Sequence, residues 1–308
     1  MNNIKNYYIC FLIIVFTIFI GGCKKVGKSI INDGVKTINV NGVTREFILY
    51  IPSTYGSTDT VPLMLNFHGW TMSASDQMNL SDMRALAESE KFILVYPQGT
   101  KFRNRFYGST HWNVGSWTTG STSDDIGFVD KLINHMSANY NIDLERIYAC
   151  GYSNGGFFSH DLACNLSNKI AAIGAVSANM STRTKENCNP SHPTPVVTVS
   201  GTNDNQVSYD GTNFKGQIPH NEVLNYWINY NQTDASPIIS DLPNINTTDR
   251  STVKLYQYKN GDNNVEVEHY KVINGGHDWP GTLGNMDIDA NSIIWRFVSQ
   301  FDINGKIK

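Results

Sequence analysis

Cysteine is scarce in this chain, five in 308 residues, and neither Cys-x-x-Cys nor His-Glu-x-x-His occurs. Without those spacings no motif brings metal ligands together, so neither a metal centre nor a cofactor is expected. Charge is also sparse: 17% of residues, with 24 basic against 27 acidic, a net −3. Lys24-Lys25 is the one basic cluster. A nucleic-acid partner needs a basic face, so it is excluded from the expectations. No repeat and no Pro/Gly/Ser-rich linker divides the chain. The one long apolar run, ending at Ile20, falls short of the ~20 residues that a spanning helix requires.

That run follows Lys5 and is closed by Gly21-Gly22-Cys23-Lys24-Lys25, the layout of a secretion signal. Small residues before Cys23 resemble the lipobox of bacterial lipoproteins, in which the cysteine becomes the lipidated first residue. The alternative is an uncleaved anchor with an incidental cysteine. The organisation expected is a signal peptide over 1–22, a polar tether over 23–33, and one catalytic domain over 34–308, held outside the cytoplasm on a membrane of the cell envelope. The 286 residues left after cleavage (308 − 22) suffice for one large α/β domain. In an oxidising compartment one disulfide is expected. Cys164 with Cys188 is the favoured pair, because Cys150 lies inside a strand.

Apolar runs alternate with amphipathic ones, as a doubly wound, mostly parallel sheet of about eight strands demands. Thr37 to Ile51 reads as an antiparallel hairpin turning at Asn41-Gly42. Strands are predicted at 61–67, 92–96, 146–150, 170–176, 195–200 and 265–273. Helices are predicted at 76–90, 125–140, 156–164, 221–230 and 289–301, and the segment 233–251 reads as a surface loop.

Gly151-Tyr152-Ser153-Asn154-Gly155 stands between a strand-like and a helix-like run, with a hydroxyl at its apex. A nucleophile elbow needs small residues two before and two after the serine, because backbone and helix pack there too closely for a Cβ. An ordinary turn before a helix would read the same way. Downstream order separates the two readings, since Ser, Asp, His is the sequence used on this fold. Asp204 emerges just past a strand and is the candidate acid; an Asx turn that merely shapes the loop is its bland alternative, and Asp210 the next candidate. His277, flanked by glycine and followed three residues later by Pro280, stands on a loop as a base must. His111, His135, His160, His192, His220 and His269 are read as histidines without chemistry. Two backbone donors are needed for the oxyanion: Asn154, after the nucleophile, and Trp70, on the loop after an early strand, with Thr71 as its alternative. His68 is read as a brace for that loop.

With these pieces assembled, the chain resembles the α/β-hydrolases of the secreted polyhydroxybutyrate depolymerase-like and feruloyl esterase family, which includes acetylxylan esterases. The matching stretches are Pro62 to Gly69, Val95 to Gly99, Asp124 to Phe128, Gly151 to Gly156, Ser200 to Asp204 and Gly276 to Gly281. The resemblance implies Ser153, Asp204 and His277 as nucleophile, acid and base, and a disulfide joining Cys164 to Cys188. It implies a serine carboxylic-ester hydrolase acting on feruloyl or acetyl esters of polysaccharide, or alternatively on hydroxyalkanoate polyesters. A peptidase or a silent binding lipoprotein on this fold are the remaining readings. Many members carry a small residue or cysteine where this chain has Trp70, which would reshape the acyl pocket. Trp70, Tyr152, Trp112, Trp117 and Trp279 lie in or beside the loops expected around Ser153 and are the candidate substrate-binding aromatics.

Overall fold

The computed structural model describes residues 34–56, 58–102 and 108–308. The expected signal peptide, the tether and Cys23 lie outside the described residues.

The chain enters as a hairpin in which β1 (Gly34–Val40) and β2 (Val43–Tyr50) pair antiparallel. Asn41 and Gly42 both take positive φ, 53° and 85°, the two-residue turn whose twist matches that of the strands. After β3 (Val61–Phe67), helices α1 (Ala74–Leu80) and α2 (Arg84–Glu90) cross to β4 (Ile93–Pro97). A short ribbon of β5 (Thr100–Lys101) and β6 (Thr110–His111) precedes α3 (Asp125–Asn139). Next come β7 (Ile142–Tyr152), α4 (Asn154–Asn165), β8 (Ala172–Val176), α5 (Thr182–Glu186), β9 (Val196–Gly201) and α6 (His220–Asn231). Then β10 (Ile238–Asp241), β11 (Thr252–Tyr258) and β12 (Val267–Ile273) run to the closing helix α7 (Ala290–Val298).

Ten of these strands form one sheet in the order β1-β2-β4-β3-β7-β8-β9-β12-β11-β10. The run from β4 to β12 is parallel, and the strands at both edges are antiparallel. Buried on both faces, the central strands are continuously apolar, and the alternation of side chains feeds two separate cores. From β3, Leu63, Leu65 and Phe67 enter a core shared with Phe128 of α3, Phe158 of α4 and Trp227 of α6. Met64, between them, points to the opposite core, which Ala87 of α2 and Ile294, Trp295 and Phe297 of α7 close.

Three sequence expectations change. The sheet has ten strands rather than about eight, because β10 lies within the expected loop and β11 directly after it. Every residue of β10 is exposed, so it carries no buried face to announce it. The helix expected over 76–90 is two helices. Tyr96 donates its hydroxyl to Ser81 O (2.7 Å) and accepts from Met83 N (3.1 Å), spending on a tertiary partner the groups that would carry the helix through.

Candidate active site

The end of β7 and the start of α4 leave a single residue between them, Ser153, held at φ 52°, ψ −119°. A non-glycine residue there is strained, and the surroundings must over-determine it. They do so by proximity: a Cβ on Gly155 would lie 2.2 Å from Phe67 O, and one on Gly151 would lie 2.5 Å from the Gly155 carbonyl carbon. Ser153 N donates to Val176 O on the neighbouring strand (2.9 Å). The hydroxyl is thus lifted to the carboxyl edge of the sheet, at the N-terminus of α4.

The loop after β3 lies against this elbow, since a Cβ on Gly69 would come within 3.5 Å of Ser153 Cβ. His68 pins the loop. Its Nε2 accepts from Gly99 N (2.9 Å), which fixes the hydrogen on Nδ1, and Nδ1 donates to Gly69 O (2.7 Å). Burial lowers its pKa to about 4, so the ring is neutral and braces rather than acts as a base. Thr71 N is committed to Thr110 O (2.9 Å), which removes it as the alternative oxyanion donor. A contact that sequence reasoning missed locks elbow to loop: Asn154 Oδ1 accepts from Trp112 N (2.7 Å) and Asn154 Nδ2 donates to Trp112 O (3.1 Å). Trp112 Nε1 then donates to His68 O (3.0 Å).

On the other side of the elbow, Asp204 and His277 meet. His277 Nδ1 donates to Asp204 Oδ2 at 2.6 Å, with both side chains almost wholly buried. Because a carboxylate can only accept, this bond places the hydrogen on Nδ1 and leaves Nε2 as the lone-pair nitrogen. Asp204 Oδ1 meanwhile accepts from Gln206 N (2.8 Å) and Val207 N (2.7 Å). The Asx turn weighed as its bland alternative is therefore present as well, on the other oxygen. Asp210 is exposed and bound to Thr212, away from the imidazole. The histidine loop is gripped twice: Tyr152 donates its hydroxyl to His277 O (2.7 Å), and Ser177 Oγ donates to Asp278 O (2.8 Å). The Tyr152 and His277 rings lie 4.9 Å apart. Ser153 Oγ itself makes no hydrogen bond among the described residues.

The candidate aromatics divide. Trp70 is half-buried, its edge against Phe102 and His111 at 5.8 Å each. Trp117 packs on Phe157 (4.8 Å) and Phe214 (4.6 Å), and Tyr152 lies under the imidazole. Trp112 and Trp279 are fully buried, which corrects the expectation that they face substrate. Trp112 stacks on Phe158 (5.0 Å), and Trp279 spends its indole N–H on Asn291 (3.1 Å). Phe102 and His111, against which Trp70 rests, help line a cavity of about 630 Å³ whose other walls include Asn41, Thr100, Lys101 and Ser121.

Cys164 of α4 is disulfide-bonded to Cys188, beyond α5. Cys150 is free and buried in β7, where desolvation pushes its thiol pKa far up, the setting of an inert packing residue. No group of three or more His, Cys, Asp or Glu among the described residues is arranged to hold a metal ion.

Residues 45–188 match the family model described as "Esterase PHB depolymerase". A bifunctional acetylxylan esterase/xylanase of Neocallimastix patriciarum is 29% identical over 278 residues, covering 88% of this chain and 36% of the relative. Feruloyl esterase B of Piromyces equi is 26% identical over 265 residues, covering 84% and 46%. The chain thus spans less than half the length of either. Among solved structures, an acetyl xylan esterase from Aspergillus awamori superposes with a TM-score of 0.60 at 14% identity, over 86% of this chain and 99% of that one, a likeness of fold.

Proposed function

We propose that this chain, whose residues 45–188 match the model of an esterase family described as "Esterase PHB depolymerase", is a serine carboxylic-ester hydrolase working through an acyl-enzyme. Its proposed substrates are feruloyl or acetyl esters of polysaccharide, and it is displayed outside the cytoplasm on a lipid anchor at Cys23. The observation that carries the reading is the buried 2.6 Å bond from His277 Nδ1 to Asp204, taken with a strained Ser153 whose neighbour Tyr152 holds the His277 carbonyl.

In this mechanism Ser153 Oγ attacks the ester carbonyl as His277 Nε2 takes its proton, and Asp204 stabilises the imidazolium that forms. Negative charge gathers on the carbonyl oxygen, where the amides of Asn154 and Trp70 receive it. Asn154 N belongs to the first turn of α4, whose amides have no partner within the helix and sit at the positive end of its dipole. The tetrahedral adduct collapses, the C–O bond breaks, and His277 returns its proton to the departing alcohol. Water, deprotonated by the same imidazole, then releases the acid from Ser153. The bond between Ser153 and His277 forms in the substrate complex by rotation of the serine hydroxyl, since such contacts tighten on binding.

The names of the two relatives support the ester class. The cavity beside Trp70 sets hydroxyl and amide side chains (Asn41, Thr100, Ser121) among apolar ones (Val40, Val43, Phe102), walls that could take a sugar-bearing leaving group. The second reading, a polyester depolymerase, rests on the description of the matched family. Replacement of Ser153 by Ala should lower kcat on the order of 10⁶-fold if the three side chains act as a unit. Assays on methyl ferulate, acetylated xylan and polyhydroxybutyrate film decide the substrate. Turnover of the film alone would replace the first reading with the second, and an unaffected Ser153→Ala variant would end both.

A further inference from the structure

Beneath the loop that presents Asp204 lie two fully buried imidazoles, His220 at the start of α6 and His269 in the middle of β12, their ring centroids 4.4 Å apart. Their hydrogens can be assigned from their partners. Asn179 Nδ2 donates to Ser208 O (3.2 Å), so Asn179 Oδ1 is an acceptor and His220 Nδ1 donates to it (2.8 Å). A neutral imidazole has one N–H, which makes His220 Nε2 an acceptor. Facing it are His269 Nδ1 (3.2 Å) and Thr198 Oγ1 (3.3 Å), themselves 2.9 Å apart. The hydrogen of His269 therefore sits on Nδ1, and its Nε2 accepts from the Tyr209 hydroxyl (2.7 Å). His220 N closes the arrangement by donating to Tyr209 O (3.0 Å).

Every bond points one way: Tyr209 to His269, then to His220 directly or through Thr198, then to Asn179 and Ser208. Ser208 and Tyr209 are consecutive, so the chain of bonds is a ring closed by one peptide unit. That peptide lies just beyond the turn in which Asp204 Oδ1 accepts from the Gln206 and Val207 amides. Thr198, inside the ring, belongs to β9, the strand that delivers Asp204.

We infer that this ring fixes the loop carrying Asp204 in the register that meets His277, making Tyr209, His269, His220 and Asn179 positioning residues for the proposed acid. The inference rests on the hydrolase reading above. The direction of the ring holds only while both imidazoles are neutral, because a second N–H on His220 would face the N–H of His269, and one on His269 would turn the Tyr209 hydroxyl from donor to acceptor. The groups around it keep it so. Lys271, over the Tyr209 ring (5.0 Å), adds its positive charge to the burial that disfavours protonation of both imidazoles, and the neutral His160 and Tyr256 bring no negative charge to offset it. Burial holds the His220 pKa down at about 3.

Tyr209→Phe tests the inference by removing one hydroxyl and nothing else. It should lower kcat on p-nitrophenyl acetate about tenfold while KM moves less than about twofold, the signature of a misplaced group rather than lost binding. In an Asp204→Asn background the same substitution should cost nothing further, since its effect runs through Asp204. The low-field ¹H resonance of the His277 Nδ1 hydrogen should shift or broaden. Thr198→Val should act in the same direction. A Tyr209→Phe variant whose Tm falls while kcat and the resonance stay unchanged overturns the inference, as does an equal loss in both backgrounds. If the wild-type chain hydrolyses no ester, the hydrolase reading fails, and the resonance alone still decides whether the ring sets the bond between Asp204 and His277.

Discussion

His68 has no contact with solvent, and burial draws its pKa from 6.5 to about 4. Between those pH values the unfolded chain binds a proton there that the folded chain refuses. Stability is then complete above pH 6.5 and falls as the pH drops, by about 3 kcal/mol for this group at the lower end of the window. His160 and His220, each held at about 3 by burial, add losses of the same sign. Asp161 works against them, because burial raises its pKa to about 6 and the folded form gains a proton first. Three depressed histidines outweigh one raised carboxyl, so Tm should be level above pH 7 and fall steeply from pH 6 to 4. Differential scanning fluorimetry across that range checks it, and a constant Tm would contradict the burial argument. Single residues were unequally legible in the sequence. Ser153, Asp204 and His277 could be picked out because each stands at a strand end among turn-forming neighbours. Nothing local distinguished His220 or His269 from any other histidine, nor showed that Trp112 and Trp279 turn inward. Those facts depend on partners on other elements, such as Asn179 for His220, Phe158 for Trp112 and Asn291 for Trp279.

Among the elements, the parallel strands were legible because burial on both faces leaves an unbroken apolar run, as in β3, whose bounds match the expectation. The edge strand β10 and the break between α1 and α2 were not, since each is fixed by groups on another element: β11 pairs the first, and Tyr96 interrupts the second. The elbow helix α4 is tied by the Cys164–Cys188 disulfide to the segment after α5, across a sequence separation of 24. A loop of that size contributes about 3 kcal/mol by restricting the unfolded chain. The bond lies at the far end of α4 from Ser153, and the glycine contacts of the elbow do not involve it. Reduction, or Cys164→Ser with Cys188→Ser, should therefore lower Tm by several degrees while kcat on p-nitrophenyl acetate stays within about twofold. A tenfold loss of kcat at a temperature where the variant is folded would mean that the bond shapes the elbow itself.

Taken whole, the molecule gathers the proposed machinery on one edge of the sheet: the loops after β3, β7, β9 and β12 supply Trp70, Ser153, Asp204 and His277. These are the carboxyl ends of parallel strands, with only β8 between β7 and β9, where an open α/β sheet places its ligands. Each of these elements lies within residues 34–308, from β1 and its pairing of Gly34 with Leu49 of β2 onward. The proposed division of labour assigns the chemistry to residues 34–308 and attachment to a membrane to Cys23. A protein comprising residues 34–308 should unfold at the Tm of the longer chain and keep its kcat on a soluble ester within about twofold, since the described sheet, its helices and the proposed machinery all lie within it. The full-length Cys23→Ser variant should lose the acyl chains and move out of the detergent phase on phase separation, because stable attachment requires acylation there. Wild-type chain that partitions into the aqueous phase, or a Cys23→Ser variant that partitions as the wild type does, would remove the anchor from the proposal and leave the catalytic reading standing on Ser153, Asp204 and His277.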